Sequence, residues 1–203
     1  MHHTMSSEEM IAYFNRCAPT WDAETIRSDE KIRVILDYAG ITEGVRVLDV
    51  ACGTGVLFPD YLQRNVRALV GVDIAPGMAN IAAAKFKAPR VQVICADIQE
   101  LVFSDPFDCA VIYDAFPHFP NPDRLVRHLA SCLVEQGRLT IAHSMCRDQI
   151  DAFHNEVGAA DVSVDLVHED KLAMILSPYF QVDVVVADAE KYVVSGKKRA
   201  MHH

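Results

Sequence analysis

The chain has 203 residues, a formal net charge of −9 at pH 7 and hydrophobic residues at 51% of its positions. This length suits a single domain over residues 1–203, and the acidic balance argues against a nucleic-acid partner, because proteins that bind phosphate backbones usually present clustered lysine and arginine. No stretch approaches the roughly 18 apolar residues of a membrane span and the N-terminus lacks a signal-peptide pattern, so we predict a cytoplasmic protein with no membrane partner.

Helices and strands alternate along the predicted structure. Residues 6–17 and 29–39 are predicted to be helices, which makes residues 6–40 a helical segment ahead of a core domain at residues 45–198. The first five predicted strands are residues 46–51, 68–73, 91–96, 107–113 and 137–143. The helices between them are residues 58–64, 78–87 and 123–134.

The last third of the chain changes character. Helical patterns at residues 148–157 and 168–176 precede two β-rich runs at residues 180–186 and 192–195. The turn between these runs is short, and a parallel crossover needs a dozen or more residues. The last two strands are therefore predicted to be antiparallel.

Three predicted strands end in residues that suit a nucleoside-bearing cofactor. The first ends in Ala51-Cys52-Gly53-Thr54-Gly55, a glycine turn that opens a helix and presents backbone N–H groups to an anionic group. Asp73 and Asp97 end the next two strands, where carboxylates can accept hydrogen bonds from a ribose and an adenine amino group, each worth about 1.5–3 kcal/mol. We therefore predict such a cofactor across the carboxyl edge of a parallel sheet.

Together these motifs resemble the class I S-adenosylmethionine (SAM)-dependent methyltransferases of the small-molecule type, from about residue 10 to residue 198. The resemblance implies an α/β fold, a Rossmann-like three-layer sandwich. Its seven-stranded, mostly parallel sheet would have the order 3-2-1-4-5-7-6, with the last strand antiparallel. It also implies methyl transfer from SAM to a small-molecule acceptor, with release of S-adenosylhomocysteine (SAH), by a monomer or homodimer.

The resemblance also assigns roles to residues at the cofactor. Asp49 and the glycine turn would face the methionine part of SAM, Asp73 would bind the ribose, and a lid near Trp21 and Asp22 would exclude water. Alanine replaces the family's usual glycine at position 51, where we expect it to keep a negative φ. The predicted cofactor-binding residues are Tyr13, Trp21, Asp49, Ala51, Cys52, Gly53, Gly55, Asp73, Ile74, Met78, Asp97, Ile98, Asp114 and Ala115.

Histidines are the candidate catalytic bases. His118 follows the fourth predicted strand, His143 ends the fifth and His154 lies just beyond, and ligands bind at the carboxyl ends of strands in α/β sheets. His143, Cys146 and His154 also form an alternative metal or metalloid site, since imidazole and thiolate are suitable ligands. The histidines at positions 2, 3, 202 and 203 are excluded from site reasoning because they lie at the chain ends.

Two functions of other classes stay open at this point. The first is a SAM-binding regulatory protein without catalysis. Within the methyltransferase hypothesis itself, a thiol, metal or metalloid acceptor also stays open. The second is a nicotinamide-dependent oxidoreductase. Phe58 argues against it, because the dinucleotide fingerprint needs a third glycine at that position for close helix–strand packing.

Overall fold

The computed structural model describes residues 6–145 and 166–200 of the chain. These residues form a seven-stranded sheet with the order β3-β2-β1-β4-β5-β7-β6, as predicted. The strands are β1 (Arg46–Val50), β2 (Ala68–Asp73), β3 (Val91–Cys95), β4 (Phe107–Tyr113), β5 (Leu133–His143), β6 (Phe180–Ala187) and β7 (Tyr192–Lys198).

Strand direction also agrees with the prediction. Strand β1 pairs in parallel with β2 and β4, and the parallel arrangement continues to β3 on one side and β5 on the other. Strand β7 is antiparallel to both β5 and β6. The carboxyl ends of the five parallel strands consequently meet at one edge of the sheet, where open α/β sheets bind ligands.

Helices cover both faces of the sheet. They are α1 (Ser7–Cys17), α2 (Trp21–Glu24), α3 (Asp29–Tyr38), α4 (Phe58–Gln63), α5 (Pro76–Lys85), α6 (Pro122–Cys132) and α7 (Glu169–Leu176). None of the helices in the described ranges is both long and apolar enough to cross a membrane.

Successive residues of β1 face opposite layers of the sandwich, as the two-residue repeat of a strand requires. Leu48 and Val50 belong to the core under α6 and α7, whereas Val47 belongs to the core under α3 and α4. Asp49 follows the same alternation and lies on the α4 side of the sheet. A carboxylate is thereby placed inside an otherwise apolar layer.

Several element boundaries differ from the prediction, most of them by one or two residues, and β7 extends to Lys198 and not to residue 195. Strand β5 begins at Leu133 and not at residue 137, so α6 ends at Cys132 and not at residue 134. The reason is a register shift in the β4–β5 pair, where Phe107 is opposite Leu133 but Cys109 is opposite Arg138. Helix α5 begins at Pro76, two residues early, because proline suits the first helical position.

The N-terminal segment is helical as predicted and also contains α2, a short helix that the sequence pattern does not indicate. Helix α1 begins with a capping box in which Ser6 and Glu9 bond each other's backbone N–H groups. Helix α3 ends as predicted, with Gly40 at a φ of 68°. The helix predicted at residues 148–157 lies outside the described residues.

Candidate active site

A cavity of about 220 Å³ lies at the carboxyl edge of the sheet. The ends of β1, β2, β3 and β4 form its floor, and the segment from α1 to residue 27 forms its opposite wall. Predicted site residues on its walls are Trp21, Ala51, Cys52, Gly53, Asp73, Ile74, Met78, Asp97, Ile98, Asp114, Ala115 and His118. Tyr13, Asp49, Gly55 and His143 are not among the wall residues.

The glycine turn after β1 differs from the prediction at Ala51. Its φ is +56°, in the left-handed region, so the expectation of a negative φ is wrong. An L-residue in this region costs roughly 1–2 kcal/mol, and the surrounding bonds must compensate for that cost. The next residue is tied into the sheet, because the Cys52 N–H donates to the Val72 carbonyl at 3.0 Å.

Gly55 lies on the side of the turn that packs against Phe58 and Phe86, and it is not a wall residue of the cavity. Its φ is +84°, and a Cβ there would approach the rings of Phe86 and Phe58 at 2.9 and 3.1 Å. Both the backbone conformation and the close packing exclude larger residues. Gly55 therefore lets α4 pack tightly under the turn, which is a structural role.

Asp73 at the end of β2 is held in position by backbone hydrogen bonds. Its two carboxylate oxygens accept from the Gly53 and Ala75 N–H groups, each at 2.8 Å. Burial raises the pKa of Asp73, and these two hydrogen bonds oppose the shift without cancelling it. Each oxygen keeps a second acceptor site, so the carboxylate can still bind two hydroxyl groups from the cavity.

Asp49 lies behind the wall, with only 2% of its surface exposed. Burial raises its pKa well above the usual value, and the nearby charge of Asp73 raises it further. Two carboxylates thus share a largely buried region at the ends of adjacent strands. A cationic group in the cavity would stabilise the ionised form of both.

The end of β3 presents a capped turn. The Asp97 carboxylate accepts the Gln99 N–H at 2.9 Å, and this bond caps the short 3-10 helix Ile98–Glu100. Ile98 and Met78 are 4% and 2% exposed, and their apolar surfaces lie on the cavity wall. A flat apolar ring with polar edges, such as adenine, suits this part of the cavity.

Asp114 joins the ends of β4 and β5. Its φ is +52°, and its carboxylate accepts the Ser144 N–H at 2.7 Å and the Ser144 hydroxyl at 2.8 Å. The His143 Nδ1 atom lies 3.5 Å from the same carboxylate, and the Lys31 ammonium donates to the Ser144 carbonyl at 3.1 Å. Asp114 therefore lies on the cavity wall while fixing the backbone beside it.

The three candidate histidines have different environments. His118 lies on the cavity wall, with its ring edge-on to Phe14 at a centroid distance of 5.0 Å. His143, which was also predicted to meet the acceptor, is 2% exposed, packs its ring against Tyr192 at 5.9 Å and is not a wall residue. His154 and Cys146, needed for the alternative metal site, lie outside the described residues.

The N-terminal segment is tied to the glycine turn and to α5. The Thr54 hydroxyl donates to Asp22 at 2.5 Å, Lys85 pairs with the other oxygen of Asp22 at 2.6 Å, and Asn15 accepts the Gly77 N–H at 2.7 Å. Burial alone would raise the pKa of Asp22, but the bonds from Lys85 and Thr54 hold it below its usual value. These bonds place Trp21 over the cavity, whereas Tyr13 packs beside Phe14.

Arg27 is the main wall residue that sequence reasoning missed. Its guanidinium donates to the Val56 carbonyl at 2.5 Å, to Asp60 at 2.6 Å and to Asp29 at 2.7 Å. These bonds use three of its five N–H groups and leave two. In the sequence, Arg27 is a single arginine shortly before the helix predicted at residue 29. Nothing in this pattern indicates that the chain folds back onto the glycine turn.

Comparison with known proteins adds independent evidence. Residues 47–137 match a family model described as a methyltransferase domain. A malonyl-[acyl-carrier protein] O-methyltransferase from Acetivibrio thermocellus is 30% identical over 133 residues, which cover 64% of this chain and 47% of that protein. The chain thus spans about half the length of that curated relative.

Two solved structures share the fold. The N-methyltransferase NodS from Bradyrhizobium japonicum WM9, in complex with SAH, matches 93% of this chain and 98% of its own with a TM-score of 0.74 and 13% identity. The [4+2]-cyclase SpnF matches 97% of both chains with a TM-score of 0.77 and 15% identity. Residues 47–137 therefore match a methyltransferase domain, and the chain has the seven-stranded class I methyltransferase fold that its motifs resemble.

Proposed function

We propose that the chain binds SAM at the carboxyl edge of its sheet and transfers the methyl group to a small-molecule acceptor, leaving SAH. The observation that carries this proposal is the convergence of Asp73, Asp97 and the glycine turn on one cavity. The matching methyltransferase domain and the SAH named with the NodS structure support it.

The residues of the cavity fit SAM chemically. Asp73 would hold the ribose hydroxyls, because backbone bonds already fix its carboxylate and each oxygen retains acceptor capacity. Asp97 and the Ile98 N–H would bind the adenine edge, with Met78 and Ile74 against its faces. A cationic group would stabilise the ionised form of the buried Asp49 carboxyl, so this carboxyl suits the positive end of SAM.

Arg27 and the glycine turn would hold the carboxylate of SAM. The two remaining N–H groups of Arg27 and the backbone N–H groups of the turn are donors on the same wall. The tight association of Asp22 with Thr54 would keep residues 6–27 closed over this end as a lid. A closed wall excludes water and strengthens electrostatic interactions inside the cavity.

Positioning is the main contribution of the protein to this reaction. When bound, SAM supplies an electrophilic methyl group, and the electron pair of the broken carbon–sulfur bond stays on sulfur to give SAH. Holding two reactants in line can supply about 7–11 kcal/mol of barrier reduction. An acceptor that loses a proton needs a base nearby, and His118 is the candidate because it lies on the wall.

The test is transfer of a labelled methyl group. The purified protein would be incubated with methyl-labelled SAM and a small-molecule extract, and labelled products would be separated and identified. We expect label in one small compound and equimolar SAH. SAH binding without any labelled product would instead favour a SAM-binding regulatory protein. SpnF, named a [4+2]-cyclase, illustrates that this fold also occurs under the name of another activity.

An oxidoreductase is disfavoured by the geometry below the turn. Phe58 is fully buried at the start of α4, where a dinucleotide fingerprint places a glycine. Competition between NAD and SAH for the protein provides the direct check. We expect SAH binding to be unaffected by NAD.

A further inference from the structure

We propose that the methyl acceptor is an uncharged compound with an apolar, aromatic body, and that Ile26 at the cavity wall contacts it. This inference rests on the proposed function and names the substrate class of the same cavity. It follows from the shape, polarity and charge of the wall formed by residues 7–27 and 113–120.

The first argument is the apolar surface around Ile26. Ile26 is 94% exposed, yet it lines the same cavity as Met10, Phe14, Phe119 and Pro120. Single exposed apolar residues are common on protein surfaces, but several around one concave wall mark a binding site. Val102 illustrates the difference, because it is also 94% exposed and is not a wall residue.

The second argument is charge. Among the described wall residues, Arg27 is the one lysine or arginine, Asp114 is the carboxylate of the part formed by residues 7–27 and 113–120, and Asp73 and Asp97 add two carboxylates on the adjoining cofactor side. The charge of Arg27 is already balanced by Asp29 and Asp60 at 2.7 and 2.6 Å. An anionic acceptor would meet net repulsion in a partly water-excluded space, where charges interact more strongly than in bulk water.

The chemistry of transfer narrows the class further. A protonated amine has no lone pair with which to bond the methyl carbon, so the reacting form of any acceptor is its uncharged or deprotonated one. Its proton passes to a base on the wall, for which His118 is placed, or to water. The reaction thus disfavours a protonated amine and the acidic wall disfavours an anionic body, which together leave an acceptor whose body is uncharged.

The third argument is the aromatic group beside His118. The Phe14 ring lies edge-on to His118 at 5.0 Å and to Trp21 at 5.9 Å, and all three line the cavity. Aromatic rings prefer such edge-to-face or offset contacts with other rings. An aromatic acceptor body would extend this cluster and bring its polar atom close to the imidazole.

The experiment uses two probes with the same ring system and different charge. The full chain would be saturated with SAH and titrated at pH 7 with 2-naphthol, which is uncharged, and with 2-naphthoate, which is anionic. Fluorescence of the probes gives their dissociation constants. We expect 2-naphthol to bind at least about tenfold more tightly than 2-naphthoate, since only the latter meets the acidic wall.

Two matched variants locate the site. Ile26→Ser should weaken 2-naphthol binding roughly five- to tenfold through lost apolar contact, whereas Val102→Ser should leave it unchanged. Both positions are almost fully exposed, so neither variant should alter folding. SAH affinity, measured by calorimetry, should be the same in both variants and the wild type.

Several outcomes would overturn this inference. Absence of 2-naphthol binding, equal or tighter binding of 2-naphthoate, or equal effects of the two variants would each do so. Loss of SAH binding by the wild type would be a different failure, because it would remove the proposed function itself. The calorimetric measurement of SAH binding therefore distinguishes failure of this inference from failure of the proposed function.

Discussion

The β1–β3 end of the cavity and the β4–β5 end are built differently. At the first end, Asp73 and Asp97 are fixed by hydrogen bonds to backbone N–H groups within a few residues or on the adjacent turn. At the second end, Asp114 is likewise bonded to Ser144 after the neighbouring strand, but His118 packs against Phe14 of α1, outside the sheet. The first end is thus fixed by the strand ends and turns of the sheet, here called the locally fixed end, whereas the second also depends on packing of α1.

This difference has a functional meaning under the proposed function. A locally fixed end suits the invariant adenosyl part of SAM, because strand ends and turns keep their geometry in any sequence that forms the sheet. A wall assembled from α1, β4 and β5 can change with each side chain that lines it. Such variation would adapt one fold to different acceptors.

The largest expected effect concerns His118 and His143, the two candidate histidines within the described residues. His118→Ala should lower turnover about 10²- to 10⁴-fold, because a general base contributes by that factor, with SAH affinity and thermal stability nearly unchanged. His143→Ala should instead lower the free energy of unfolding by about 2–4 kcal/mol, because its ring is buried against Tyr192. Turnover assays and denaturant titrations of both variants test this contrast.

The opposite pattern would reverse the assignment. If His143→Ala reduced turnover while its denaturation midpoint stayed at the wild-type value, His143 and not His118 would act on the acceptor. His128→Ala is a suitable control, since His128 lies on α6 away from the cavity.

The second prediction tests the locally fixed end. Asp73→Ala should weaken SAH binding by about 1.5–3 kcal/mol, because two charge-assisted bonds to the ribose are lost and the Gly53 and Ala75 N–H groups lose their acceptor. Asp73→Asn keeps one acceptor oxygen and should lose less. Calorimetry measures both, and equal affinity in the wild type and Asp73→Ala would place the ribose elsewhere.

The third prediction concerns stability and pH. Burial raises the pKa of Asp49, so the folded chain holds a proton that the unfolded chain has released, and stability falls as pH rises from the ordinary carboxyl pKa through the raised one. Asp49→Asn should therefore stabilise the ligand-free chain at pH 7 by about 1 kcal/mol, roughly 2–4 °C in Tm. The Asp49→Asn variant should bind SAH more weakly than the wild type does, because SAH keeps the ammonium group of SAM.

The pH dependence supplies the control for Asp49. Well below the ordinary Asp pKa of about 3.9 the carboxyl is protonated in both the folded and the unfolded state, and the advantage of Asp49→Asn should vanish. A lower Tm for Asp49→Asn at pH 7 would mean that the ionised carboxylate stabilises the fold through hydrogen bonds. Thermal scans at several pH values distinguish these cases.

The smallest expected effect is at the turn. Ala51→Gly should relieve the left-handed strain and raise the free energy of unfolding by about 0.5–1 kcal/mol, after the greater flexibility of the unfolded glycine chain is subtracted. Gly44→Ala, also at a positive φ but with no atom within 4 Å of the new Cβ, should have the opposite sign. Denaturant titrations measure both changes.

The comparison also explains what could be predicted from the sequence. The strand ends near Asp73 and Asp97 could be predicted because the two-residue repeat of a strand and the turn residues after it are local features of the sequence. The φ of Ala51 was mispredicted because the bond from Cys52 to β2 overrides the intrinsic preference of alanine. A single sequence does not show whether such a hydrogen bond outweighs the backbone preference of the residue.

Packing between distant segments accounts for the other differences. Nothing local to His143 indicates that Tyr192, on the last strand, covers it. Arg27 was missed for the same reason, since its partners Val56 and Asp60 lie about thirty residues away. The early start of β5 at Leu133 likewise depends on its pairing with Phe107.

Calorimetric titration of SAH into the wild-type chain tests the central claim most directly, namely that the ends of β1, β2 and β3 together form a SAM site. We predict saturable binding of one SAH per chain, weakened in Asp73→Ala. An absence of saturable binding, with the chain shown to be folded by circular dichroism, would contradict the account.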